Sequence, residues 1–141
     1  MINSFDNYLK LGKVRKKTPD SEEAKSLFKK AISRLEYTKS KEISSKNAQF
    51  VLEDSYESAR EAAQALMSIK GFKPYSHEAT ISFVKEFYGS SFTEEEVYKF
   101  DRFRQLRNES VYKAKPMTEQ DAKACVSFAI EFINKAELLL K

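Results

Sequence analysis

The sequence predicts an all-α protein, an up-and-down bundle of four main helices plus one short helix. Three observations carry that expectation. Glycine and proline are scarce, three of each in 141 residues, so tight turns are few. No stretch alternates polar and apolar residues convincingly, whereas apolar residues recur at helical spacing along most of the chain. The segments so marked are long enough to bury a stripe against one another. Their connections are short, which makes sequential helices mostly antiparallel.

Residues 1–17 read as an N-terminal basic arm ahead of a single helical-bundle domain over 18–141. Phe5, Tyr8 and Leu9 give a short apolar face ending near Gly12. Lys10, Lys13, Arg15, Lys16 and Lys17 then put five positive charges together with no acid among them. Such a run is a solvated arm or a contact for a phosphate backbone.

The first main helix is expected to start near Asp20 or Ser21, after Pro19. Glu22 and Glu23 sit in the first turn, where the helix dipole favours negative charge. Ala24, Leu27, Phe28, Ala31 and Leu35 then hold the 3.6-residue period. A second, long helix follows over about 45–70, with Gly71 as its stop. Its buried stripe is Ala48, Val51, Leu52, Ser55, Ala59, Ala62, Leu66 and Ile69, and its small residues admit a close neighbour. Glu57, Arg60 and Glu61 are expected on or beside the polar side. Pro74 prevents continuation and Ser76 caps a short third helix, ended by Gly89. In the fourth, Thr93 is followed by three acids, and Val97, Phe100, Phe103, Leu106 and Val111 recur before Pro116. A last helix begins after Thr118 and buries Ala122, Cys125, Val126, Ala129, Phe132, Ile133, Ala136 and Leu140.

Composition excludes several classes of function. A hydrophobic fraction of 41% fills a core, and charged residues at 33% suit a solvated surface. No run of apolar residues reaches the length of a membrane span, and the first residues lack a signal-peptide core, so a cytoplasmic protein without membrane contact is expected. The lone cysteine, Cys125, rules out an intramolecular disulfide framework, and one histidine, His77, does not make a zinc site with it. No cofactor-binding glycine loop is present. Cys125 reads as core packing and His77 as a turn or capping residue.

The fourth helix carries the candidate site. Its second half turns basic, with Arg102, Arg104, Arg107, Lys113 and Lys115 against Asp101 and Glu109. Arg104, Asn108 and Tyr112 are spaced i, i+4, i+8 and share one stripe. A guanidinium binds phosphate oxygens in a fork. Two readings stay open: Arg104 and Arg107 pair internally with Glu57, Glu61 or Asp101 and Tyr112 is a half-buried aromatic, or Arg104, Arg107, Asn108 and Tyr112 form a binding site for an anionic ligand.

Three segments together resemble the prokaryotic HEPN (higher eukaryotes and prokaryotes nucleotide-binding) domains. They are ALMSIKGFKPYSHEA at 65–79, Leu106-Arg107-Asn108, and TEQDAK at 118–123. The resemblance covers roughly residues 20–140. It implies a helical bundle that is commonly a homodimer. Many relatives are metal-independent endoribonucleases, often toxins paired with a small nucleotidyltransferase antitoxin. Their motif is an arginine, a polar residue, then a histidine about five positions after the arginine. Arg107 and Asn108 match the first two positions, and the third falls on Tyr112.

That departure bears on chemistry. Cleaving RNA without a metal requires a base for the 2′-hydroxyl and a cation for the phosphorane. Arg107 suits the second task. A phenol, with a pKa of about 10, is ionised to roughly one part in a thousand at pH 7. Matching a histidine would take a shift of about three units, about 4 kcal/mol. Arg107 and Tyr112 also point about 140° apart on an ideal helix, with Cα atoms on the order of 8–9 Å apart. The expectation is therefore a domain that binds RNA, a nucleotide or a partner protein and is non-catalytic or weakly active. The alternatives are an endoribonuclease using Arg107 and Tyr112, and a structural partner of a nucleotidyltransferase.

Overall fold

The long small-residue stripe becomes the centre of the structure, a computed structural model that describes residues 2–141. The elements run α1 (Phe5–Lys10), β1 (Val14–Lys16), α2 (Ser21–Lys39), α3 (Ala48–Lys70), β2 (Phe72–Pro74), α4 (His77–Tyr88), α5 (Glu94–Lys113) and α6 (Glu119–Leu139). Ser55, Ala59, Ala62 and Ala63 on α3 are fully buried. Lacking bulk, they let α2 and α6 pack closely on either side, while α4 and α5 cover the rest of α3. Leu52, Tyr56, Leu66 and Met67 fill the layers between. Each large side chain so buried contributes about 1.5–3 kcal/mol relative to exposure.

Helix starts follow the sequence closely. Asp20 accepts from the Glu23 amide at 2.9 Å, Ser76 from Ala79 at 3.1 Å and Thr118 from Asp121 at 3.0 Å. Thr93 and Glu96 form a reciprocal capping box at the start of α5. The end of α5 is set by Ala114, which takes a left-handed φ of 51° before Pro116. The phenylalanine surplus is largely core: Phe92 stacks on Phe132 at 4.6 Å, and Phe100 and Phe103 pack against Phe128. Phe87 of α4 and Tyr98 of α5 remain exposed. No described helix is long and apolar enough to cross a membrane.

Two expectations need correction. The first concerns the N-terminal arm, whose Met1 lies outside the described residues. Residues 2–17 are built into the domain rather than held apart from it. Phe5 and Tyr8 of α1 are buried, with Phe5 edge-on to Phe72 at 5.2 Å. β1 pairs antiparallel with β2, in the register Val14 to Pro74 and Lys16 to Phe72, and Val14 is buried. Only Lys10, Lys13, Arg15 and Lys16 keep the solvated character expected of them. The strands were not legible because three residues are too few to show alternation. Gly71 makes the join possible. Its φ of 82° is the left-handed conformation, and a Cβ there would lie 2.7 Å from the Lys17 carbonyl oxygen.

The second correction is Glu61, expected near the polar side and found only 3% exposed. Arg34 of α2 donates to it at 2.8 Å, and Lys30 stands 3.4 Å away. The charge lies between helices, matched by cations that the periodicity of α3 alone could not reveal.

Candidate functional site

Three helices bring the charged groups together: α5 supplies Arg104, Arg107, Asn108 and Tyr112, α3 supplies Tyr56, Glu57 and Arg60, and α4 begins with His77. The two arginines of α5 have different fates. Arg104 is largely buried, with its side chain 12% exposed, and its Nε donates to Asp101 Oδ1 at 2.7 Å. Its Nη1 lies 3.8 Å from Glu78 Oε1. Internal pairing therefore describes Arg104, with Asp101 as partner rather than Glu57 or Glu61.

Arg107 forms no ion pair with a carboxylate among the described residues. Its Nη1 donates to Asn108 Oδ1 at 3.0 Å, and its Cζ lies 5.6 Å from the centre of the Tyr112 ring. The ideal-helix expectation that Arg107 and Tyr112 point apart without touching is thus corrected. The arginine side chain is long enough to reach over the ring, and a guanidinium on an aromatic face is attractive. Tyr112 is 74% exposed rather than half-buried, and Val111 beside it is also exposed. The apolar period of α5 therefore stops at Leu106.

Behind Arg107 lies a cluster that the spacing of α5 does not announce. The Tyr56 hydroxyl is 3.0 Å from His77 Nδ1, and the rings stack at 5.7 Å. Arg60 donates Nε to Glu57 at 2.6 Å and Nη1 to Gln64 at 3.1 Å. Burial, then the charges of Arg60 and Arg107, lower the His77 pKa to about 4, against the opposing charge of Glu57. The imidazole is therefore neutral at pH 7. Burial holds the Tyr56 phenol well above its usual range, so it stays protonated. For Glu57, burial favours the neutral acid. The Arg60 hydrogen bond and the nearby positive charges outweigh it, and its pKa falls below the usual carboxylate value. Ser110, one turn after Arg107, donates to Glu53 of α3, and Arg104, one turn before it, lies 3.8 Å from Glu78 of α4, so this stretch of α5 faces both helices.

Sequence spacing does not single out Tyr56, Glu57 or Arg60 as site residues, and it assigns His77 a turn or capping role. The one available signal was a tyrosine within the apolar stripe of α3, with an arginine four residues on along the same face. Ser76, not His77, makes the side-chain cap of α4. Cys125 is buried, donates weakly to the Leu52 carbonyl and takes no part. The described residues hold no grouping of three His, Cys, Asp or Glu fit for a metal. A surface groove of about 620 Å³ runs past Tyr98, Asp101 and Gln105, and its lining does not include Arg104, Arg107 or His77.

Chemically, the arrangement offers one unpaired guanidinium, an exposed aromatic face against it, and a neutral imidazole nearby. Comparison with family models gives a match to the HEPN domain over residues 24–139. Comparison with curated proteins and with solved structures gives no match.

Proposed function

This chain belongs to the HEPN domain family, and from that premise we propose that it binds single-stranded RNA through Arg107, Asn108 and Tyr112, as a homodimer with little or no cleavage of its own. The observation that carries the reading is the pairing of Arg107 with Tyr112. Arg104 is neutralised by Asp101, whereas Arg107 keeps an uncompensated charge beside an exposed ring. Phosphate accepts the forked donors of a guanidinium, and a nucleobase stacks on an exposed aromatic face, worth about 1–3 kcal/mol per base. Arg102, Lys113 and the N-terminal Lys13, Arg15 and Lys16 are exposed and add positive surface. Arg104 holds the helix in place rather than the ligand.

Little cleavage is expected because a neutral phenol is a poor base, and the one imidazole has its pKa near 4, far below the value that makes an efficient base at pH 7. The test is fluorescence anisotropy with labelled decauridylate in a chelating buffer, with UMP as competitor. Wild type should bind and Arg107→Ala should weaken binding about tenfold. Competition by UMP at equal phosphate concentration would assign the site to a mononucleotide. No binding by wild type at low salt overturns the reading.

A further inference from the structure

Tyr56 and His77 have no part in the α5 strip, yet they lie on the helices that it faces: Ser110 contacts Glu53, one turn before Tyr56 on α3, and Arg104 lies 3.8 Å from Glu78, next to His77 on α4. Tyr56 is fully buried, and His77 is the one recorded hydrogen-bond partner of its hydroxyl. A buried hydroxyl hydrogen needs an acceptor. The imidazole can supply one only at an unprotonated ring nitrogen, and the nitrogen in contact is Nδ1. The remaining proton of the neutral ring then sits on Nε2. Among the described residues no buried side-chain nitrogen or oxygen lacks a partner, and Nε2 has no protein partner, so that atom is not sealed from solvent.

We infer that His77 is a second ligand contact of this site: Tyr56, as a positioning residue, fixes its tautomer so that Nε2–H donates to the phosphate group seated on Arg107. This rests on the RNA-binding reading above. The charged groups around the ring support it. From α3 come Glu57 and Arg60, already engaged with each other; from α5 come Arg104, engaged with Asp101, and Arg107; from α4 comes Glu78, beside Arg104. Arg60 pairs with Glu57 and Arg104 with Asp101, whereas Arg107 has no described carboxylate within ion-pair distance. A neutral N–H donor next to one free guanidinium suits a phosphodiester, whose two non-bridging oxygens share a single charge. Because the donor is already present in the neutral ring, the contact does not require protonation. An ordinary histidine contact to phosphate is lost as pH rises through about 6.5; this one persists.

The chain has one histidine, so its ring gives a single set of nuclear magnetic resonance signals. Long-range proton–nitrogen spectra at pH 7 should show the Nε2–H tautomer in wild type. Saturating decauridylate should shift Nε2 and leave the tautomer unchanged. Tyr56→Phe should convert the ring to a tautomer mixture and weaken binding about threefold, and His77→Ala should weaken it about fivefold. Wild-type affinity should change less than twofold between pH 6 and 8. If Arg107-dependent binding saturates while the His77 signals stay still, or if the free ring carries its proton on Nδ1, this inference fails and the RNA-binding reading stands. If no Arg107-dependent binding occurs, both fail.

Discussion

The Tyr56 hydroxyl and the His77 imidazole join the central helix to the start of α4 at 3.0 Å, in a place where burial and two arginines keep the ring uncharged. Stability should therefore depend on pH. In the unfolded chain a histidine titrates near 6.5, whereas here it titrates near 4. Between those values the unfolded state binds more protons, so stability falls as pH drops from about 6.5 to about 4 and this contribution is then lost. The stability difference between wild type and His77→Gln, measured by urea denaturation, should be largest above pH 6.5 and shrink across that window. A difference independent of pH would contradict a ring held neutral in the folded state.

Glu61 is a buried carboxylate whose close partner is Arg34. Arg34→Ala should destabilise the domain by about 1–3 kcal/mol, because the buried carboxylate loses its hydrogen-bonded partner and keeps only the exposed Lys30 at 3.4 Å. Arg34→Met with Glu61→Leu should recover most of that loss, since the desolvation of both charges disappears together. Denaturant midpoints at pH 7 decide the matter.

Gly71 joins α3 to β2 with a φ of 82°, and its carbonyl accepts from the Lys17 amide at 2.9 Å. Gly71→Ala should cost about 1–3 kcal/mol through backbone strain. The clash with the Lys17 carbonyl adds to it, so hydrogen exchange at Lys17 should accelerate more than in α6.

Light scattering should give about twice the chain mass of 16.3 kDa. A monomer at micromolar concentration would count against a homodimer. Tyr112→His places an imidazole against Arg107 and supplies the third position of the motif that the family resemblance implies. RNA cleavage in chelator should rise at least tenfold over wild type, and unchanged cleavage would show that the site lacks more than its base.

Much of the fold is legible in the sequence because helices announce themselves locally. The caps at Asp20, Ser76, Thr93 and Thr118 and the small residues of α3 are short-range signals, and each element they mark is present. What escapes is whatever depends on distant pairing. Glu61 looks polar until α2 is docked against it. Tyr112 looks like the next turn of an apolar stripe until Val111 beside it is seen to be exposed. Tyr56 and His77 are 21 residues apart and meet only because α3 turns back at Gly71. Arg104 and Arg107 differ by a local signal instead: Asp101 lies three residues before Arg104 on the same helix face, and no acid holds that place for Arg107.

The two-stranded ladder bears on how this protein is handled. The family match begins at residue 24, yet Phe5, Tyr8 and Val14 lie inside the same core as α4. A version trimmed to the matched boundaries would remove the Phe5 ring from Phe72, Phe83 and Phe87 and leave one edge of β2 without its mate. Similarity marks where ancestry is recognisable; the unit that folds starts upstream of it.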